Sequence, residues 1–378
     1  MAETLDILDR LIGFDTVSAR SNLGLVDFTG DFLRQRGFAV TRVTDPGGDK
    51  AGLFASLGPP GAGVLLSAHS DVVPVAGQDW TRAPFRLTAE GERLYGRGTT
   101  DMKGFLAAML SAADRASRAP LKEPLKLAIS YDEEVGCLGI ARMIGALEPA
   151  IGLPRACIVG EPTNMQVATG HKGKQALRVL FHGQAGHSAL APRFVNALHP
   201  AADMVQAMRE LQRDLEESGA RDAAYDIPFS TVHVGRLTGG EALNIVPDRA
   251  ELLIEFRHLA GDDPTGIRQR IEGAARRITH AHGAGAAVGI SEIAAYPGLA
   301  TPETDAFVAE VQALAGTTGT TSVAFGTEAG FFDALGIPSV VCGPGSMEGQ
   351  GHKPDEYITR DQLAACDAML RRLVARMC

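Results

Sequence analysis

Long apolar runs are missing from this sequence. No uninterrupted hydrophobic stretch is long enough to cross a bilayer, which excludes a helical membrane span. Cysteine is scarce and scattered: Cys137, Cys157, Cys342, Cys366 and Cys378 form an odd set without a C-x-x-C pair, which argues against a disulfide framework and for a reducing, cytoplasmic setting. Cys157 and Cys342 fall in strand-like runs and read as core residues. No Lys/Arg block or aromatic-basic stripe is present, and 45 acidic against 36 basic residues give a net charge of -9. Nucleic acid is thereby excluded as a partner, and a small, diffusible substrate is the default. A basic-then-apolar leader is absent too. The stretch Met1 to Thr16 instead sets Glu3, Asp6 and Asp9 among Leu5, Leu8, Leu11 and Ile12, which predicts an amphipathic first helix. Neither an internal repeat nor a low-complexity tract occurs.

What is present is a chain of 378 residues, more than one hydrophobic core normally serves. Before about residue 174 short β-like runs alternate with helical stretches such as Asp101 to Ala116, and the pattern resumes after about residue 290. This predicts an α/β fold with a mainly parallel sheet flanked by helices over 1–174 and 290–378. The intervening 175–289 reads differently. Strand-like Ala176 to His182 precedes a helix over Pro200 to Glu217, two strands (Ser230 to Leu237, Ala250 to His258), a helix opened by Asp263-Pro264 and a strand near Ala286 to Ile293. The order β-α-β-β-α-β is that of a ferredoxin-like α+β domain inserted into the first. Its exposed edge strand calls for a partner, which a homodimer through this domain would supply.

The most telling feature is a set of acids and imidazoles at the ends of apolar runs or glycine-rich loops: His69, Asp101, Glu133, Glu134, Glu161 and His352. Parallel sheets present their ligand crevice outside the carboxyl ends of the strands. Several carboxylates gathered there would repel one another unless a cation neutralised them, so the set predicts a metal site. Each residue alone has a blander reading. Asp101 suits a helix N-cap, Glu133-Glu134 a solvated turn, and either histidine a structural role. Together they would require independent elements to place such groups at one rim by accident.

His69-Ser-Asp71, the run Leu94-Tyr-Gly-Arg-Gly-Thr-Thr-Asp101-Met-Lys-Gly104, Asp132-Glu133-Glu134, Gly160-Glu161-Pro162-Thr163 and Gly351-His352 keep an order that resembles the co-catalytic zinc amidohydrolases, a family that includes aminoacylase, carboxypeptidase G2 and succinyl-diaminopimelate desuccinylase. Within it, Thr238 to Pro247, Phe325 to Gly330 and Cys342 to Gly345 with Gly351 to Glu356 are most similar to the acetylornithine deacetylase branch. The resemblance implies two Zn2+ ions per subunit, for which Co2+ could substitute on the same ligands. It also implies an inserted domain that acts as a lid and dimerises.

Ligand chemistry then assigns Asp101 as the bridge, His69 and Glu161 to one ion, and Glu134 and His352 to the other, with the ions roughly 3.5 to 4 Å apart. Asp71 would orient the His69 imidazole. Consecutive loop residues do not both point at one ion, which leaves Glu133 as general base. The resemblance further implies that His187, in Gly183-Gln-Ala-Gly-His187-Ser188, reaches across a dimer to stabilise the oxyanion. It implies that Asn244 and Arg257 grip a substrate carboxylate, and that Gly326 and Thr327 face the substrate. Glu328 is a candidate reader of a substrate ammonium, with a helix cap as its alternative. The expected activity is hydrolysis of an N-acyl amino acid amide, N2-acetyl-L-ornithine foremost. Succinyl-diaminopimelate or a dipeptide are rival substrates, and a metal-dependent binding protein without catalysis is the rival of another class.

Overall fold

A computed structural model describes residues 2–378. These divide into two compact units, one running through His171 and resuming over Leu299–Cys378, the other Lys172–Gly298. The inserted unit begins at Lys172 rather than 175 and closes at Gly298 rather than 289, because its first strand starts at Gly173 and its last continues to Tyr296.

The larger unit is built on one mixed sheet. Its strands lie in the order Ala39–Thr44, Ala51–Leu57, Leu125–Ser130, Val64–His69, Ala156–Pro162, Ser339–Gly343, Ala168–His171, Leu299–Ala300, with Thr321–Val323 beside Ala168–His171. The four central strands, Leu125–Ser130 through Ser339–Gly343, pair parallel, and the antiparallel pairings fall toward the margins. Central strands covered on both faces should be apolar throughout. Val64–His69, Leu125–Ser130 and Ala156–Pro162 are buried at every position.

Helix Lys103–Ser117 is covered along almost its whole length and packs against the first helix, Ala2–Ile12, and the last, Arg360–Arg376. The first helix turns Ile7, Leu8, Leu11 and Ile12 into this core. Gly160 is what lets helix and sheet approach, since a Cβ there would lie 1.9 Å from the Phe105 ring. Three-residue strands Thr88–Glu90, Arg93–Tyr95 and Tyr357–Thr359 form a separate small sheet that the sequence reading did not anticipate.

The inserted unit is a four-stranded antiparallel sheet in the order Thr231–Gly239, Arg249–His258, Gly173–His182, Ala287–Tyr296. Arg249–His258 buries every second residue (Ala250, Leu252, Ile254, Phe256, His258), as expected of a sheet covered on one face. That face meets Met204, Met208, Leu211 and Leu215 of helix Leu198–Ser218 and Ile267, Ile271, Ala274 and Ala275 of helix Pro264–Ala281. Asp263 caps the latter by accepting from the Thr265 and Gly266 amides. Both layers of the expected split β-α-β-β-α-β unit are present. Among the described residues no helix is long and apolar enough to cross a membrane.

Candidate metal centre and active site

The strand ends bring the acids and imidazoles of the larger unit together. His69 closes strand Val64–His69. Its Nδ1 lies 2.9 Å from the Asp71 carbonyl oxygen, which turns Nε2 toward Asp101 Oδ1 at 3.1 Å and Glu161 Oε1 at 3.5 Å. The Asp71 carboxylate stands farther off, at 3.5 Å. That carboxylate instead accepts from the backbone amides of Glu133 (3.1 Å) and Glu134 (3.3 Å) and from the Ser18 hydroxyl (2.7 Å). Asp71 therefore orients the imidazole through its backbone and fixes the acidic pair through its side chain.

Asp101 spans two imidazoles: Oδ1 faces His69, and Oδ2 lies 3.0 Å from His352 Nε2. His352 Nε2 also lies 3.0 Å from Glu134 Oε2. Asp101 does not cap the following helix; Met102 holds the cap position and no side chain bonds there. Glu161 sits inside its strand, at the sixth residue of Ala156–Pro162, rather than just beyond it.

Electrostatics mark the cluster as short of positive charge. Burial, with Asp101 close by, pushes Glu134 up to about 7. Burial and neighbouring carboxylates likewise raise Glu133 and Glu161 well above the usual carboxylate range. Burial would depress His69, but Glu161, Asp101 and Asp71 overcome it and hold the imidazole well above its ordinary value. Hydrogen bonds to Asp101 and Glu134 lift His352 to about 10, and burial only partly opposes them. Burial works against ionised Asp101, yet the two imidazoles drive its carboxyl below the usual range.

Two buried carboxylate oxygens, Glu134 Oε1 and Glu161 Oε1, have no protein hydrogen-bond donor. Unpaired buried oxygens at the rim of an acidic cluster suit a divalent cation, which satisfies acceptors and cancels repulsion together. Two triads have ligand atoms within 4.8 Å of one another, His69/Glu133/Glu161 and His69/Asp101/Glu134. The donor set thus fits metal. Glu133 is near enough to raise the question of ligand or base, and its Oε1 already accepts a weak bond from Cys137 Sγ at 3.3 Å.

The residues assigned to substrate are placed less uniformly. Thr327 is buried, its Oγ1 3.0 Å from His171 Nε2 and accepting from the Ala329 amide, so its hydroxyl is turned inward, whereas Gly326 beside it is half-buried. Glu328 does not stand at the wall of a pocket. Its side chain is directed into the sheet, where the hydroxyls of Ser130 and Ser67 donate to it, and only 1% of the residue is exposed. The expected ammonium reader is thus enclosed between two central strands, and no side chain of Glu328 caps the helix Ala329–Asp333 either. In the inserted unit, His187 is exposed and its Nδ1 accepts from the Ala189 amide. The Asn244 carbonyl accepts from the Ser188 amide, tying these two loops together. Arg257 is half-buried and donates to Glu255 at 2.9 Å, a carboxylate it shares with Lys174.

Burial raises Glu328 to about 7, and the serine hydroxyls and His69 only partly oppose it. Its ordinary value is 4.5, so the folded chain holds more protons than the unfolded one between 4.5 and about 7. The carboxyl's contribution is intact below 4.5 and lost as pH rises through about 7. Glu328→Gln, which cannot ionise, should therefore gain in melting temperature over the metal-free parent as pH goes from 5 to 8. A difference that stays the same across that range would contradict an enclosed, titrating Glu328.

Several residues around the site escaped the sequence reading. Lys50 pairs with Asp132 and with the Ser18 carbonyl, bracing the loop that carries Glu133. Gln78, Arg97 and Glu356 tie the Asp101 and His352 loops to one another. Arg97 and Glu356 were marked in the sequence only by motif membership, in the runs Leu94 to Gly104 and Gly351 to Glu356, and Lys50 and Gln78 by nothing.

Comparison with known proteins agrees with this architecture. The family described as Peptidase family M20/M25/M40 matches residues 65–376. An acetylornithine deacetylase of Myxococcus xanthus is 35% identical over 393 residues, covering 100% of this chain and 99% of the relative. Among solved structures, the M20 family metallo-carboxypeptidase Sso-CP2 of Sulfolobus solfataricus superposes with a TM-score of 0.78 at 19% identity, covering 99% of each chain. The YXEP protein of Bacillus subtilis, described as a dinuclear metal binding peptidase, gives a TM-score of 0.66 at 15% identity over 99% of this chain and 97% of its own. These two likenesses concern the fold, and the expected α/β class with its mainly parallel sheet is borne out by them.

Proposed function

The chain belongs to the peptidase family M20/M25/M40, and on that premise we propose that it hydrolyses the acyl amide of an N-acyl amino acid with two divalent cations, taking N2-acetyl-L-ornithine to L-ornithine and acetate. The observation that carries the reading is Asp101, whose two oxygens face different imidazoles while Glu134 and Glu161 each offer a buried oxygen without a protein donor. On this reading His69 and Glu161 would hold one ion and Glu134 and His352 the other, with Asp101 placed to serve both. Zn2+ suits imidazole and carboxylate donors. Bound there, such ions acidify water and polarise a carbonyl oxygen.

The chain's own residues then act as follows. Asp71 holds the His69 ring in the tautomer that presents Nε2, and fixes the backbone of Glu133 and Glu134. Glu133 accepts the proton of the attacking water and returns it to the departing nitrogen, so that the amide bond breaks with a neutral amine leaving. The same proposal gives His187, Asn244, Arg257, Gly326 and the Thr327 segment their contacts with substrate, and gives the inserted unit its role in a homodimer. Those assignments rest on the sequence resemblance. The identity of the Myxococcus xanthus relative supports acetylornithine over the rival substrates.

A panel of acylated amino acids tests the reading on metal-reconstituted protein, with released amine as the signal. N2-acetyl-L-ornithine should exceed succinyl-diaminopimelate, N-acetyl-L-methionine and dipeptides in kcat/KM by about 10-fold or more, the scale on which one charged contact discriminates. Preference for another member would keep the machinery and change the substrate. No amine from any member, with both ions bound, would favour a binding protein.

A further inference from the structure

We propose that Glu356 is a positioning residue for the metal pair, one that fixes the Asp101 loop directly and the His352 loop through Arg97 and Gln78. The inference rests on the metal reading above. Its starting point is a buried acid that takes no part in ligation. Glu356 is 1% exposed, and both of its oxygens are already occupied. Oε1 accepts from the backbone amides of Thr100 (2.9 Å) and Asp101 (3.1 Å), and Oε2 from the Gly98 amide (3.0 Å) and Arg97 Nη1 (2.6 Å).

One carboxylate thereby fastens three backbone amides of the loop that delivers Asp101. The Gly96 amide donating to the Glu356 carbonyl (2.9 Å) and the Thr100 hydroxyl to the Tyr357 carbonyl (2.7 Å) extend the seam. The loop cannot satisfy these amides internally in its own conformation. Gly98 has a φ of 87°, and a Cβ there would meet Val72 Cγ1 at 2.8 Å.

The second half of the network runs to His352. Arg97, itself 1% exposed, uses its other amino group to bond Gln78 Oε1, and Nη1 also reaches the Lys353 carbonyl at 3.4 Å. Gln78 Nε2 in turn donates to the His352 carbonyl at 3.0 Å, with Trp80 Nε1 holding the Gln78 amide from the other side at 3.0 Å. His352 needs such a restraint. It lies in the left-handed region with a φ of 59°, as does Asp355 at 53°, and neither is glycine. Its side chain is 43% exposed, so packing does not fix it. Asp355 is pinned separately by the Thr81 hydroxyl at 2.6 Å and the Thr81 amide at 3.1 Å.

Asp101 and His352 thus arrive 3.0 Å apart on two loops bound to a single carboxylate–guanidinium pair, rather than on two loops that must find each other when an ion enters. Outer partners of ligands commonly contribute about 10- to 100-fold in metal affinity.

The test compares metal-free wild type with Glu356→Gln and Gln78→Ala, each titrated with Co2+ while heat and the visible absorption of the bound ion are followed. Glu356→Gln puts an amide donor against backbone donors and should weaken the ion held by Glu134 and His352 about 10- to 100-fold. The other ion, held by His69 and Glu161, should lose less. Gln78→Ala leaves the bonds of Glu356 to the loop amides in place and should weaken only the His352 ion, with an altered visible spectrum. It remains informative should Glu356→Gln fail to fold. Stoichiometric binding in both variants within about 2-fold of wild type, with unchanged spectra, would overturn the proposal. Failure of wild type itself to take up two ions would sink the metal reading first, and this inference with it.

Discussion

Glu133→Gln is expected to lower kcat by about 10³- to 10⁴-fold, the upper range for removal of a general base, while both ions stay bound. Glutamine matches the size of the side chain and can still accept a bond from Cys137 Sγ, and the backbone amide at 133 would keep its bond to Asp71 Oδ1. What it cannot do is take a proton. In the metal-free fold burial, with Glu134, Asp101 and Glu328 nearby, raises the Glu133 carboxyl well above the usual carboxylate range, so it holds protons more firmly than an exposed acid. A base poised closer to the operating pH gives up and takes protons with less mismatch. Metal analysis of the variant separates the two readings that the geometry leaves adjacent, since Glu133 lies within ligand distance of His69 and Glu161. Loss of one ion would make it a ligand. Undiminished turnover would place the base elsewhere.

Stripping the cations should abolish turnover and also make the fold lose stability as pH rises. In the metal-free fold Glu134 sits at about 7 against an ordinary 4.5, so the folded chain holds extra protons between those values. Its contribution is whole below 4.5 and is lost as pH rises through about 7. His352, raised from 6.5 to about 10, acts in the same direction: the stability it adds is complete below 6.5 and disappears as pH climbs toward 10. Asp101 acts oppositely, but its lowered value matters only below its ordinary 3.8. Between pH 5 and 8 the chelated protein should therefore melt at progressively lower temperature. The loaded protein should hold level or improve, because protons compete with the ions for the same atoms. Calorimetric scans of both forms would show a gap that widens with pH. A constant gap would mean that the buried acids are not what the ions neutralise.

Much of the fold could be read in advance because it rests on patterns that single stretches carry. The apolar runs ending at His69, Tyr131 and Gly160, broken only by Ser67, Lys126 and Ser130, could be recognised as covered strands, and the alternation over Ala250 to His258 as a one-sided sheet. His69, Glu134 and Glu161 stand at or near those ends, and Asp101 and His352 come to the same rim from loops. Glu328 shows where such reading fails. An acid beside a glycine-threonine loop suits a pocket wall as well as a core, and the two hydroxyls that decide the matter, Ser67 and Ser130, lie about two hundred residues or more away. The role of Glu356 was equally opaque: its motif marks it, but three of its four partners are backbone amides that carry no letter code. The three-residue strands of the small sheet are too short to show any period at all.

Four of the candidate ligands, at positions 69, 101, 134 and 161, precede the inserted unit, whereas His352 follows Ser339–Gly343, the strand laid beside Ala156–Pro162 after that unit. On the proposed metal reading, a growing polypeptide that displays the first four would still lack one imidazole of the second ion, and full loading would wait for the segment that returns after the inserted unit.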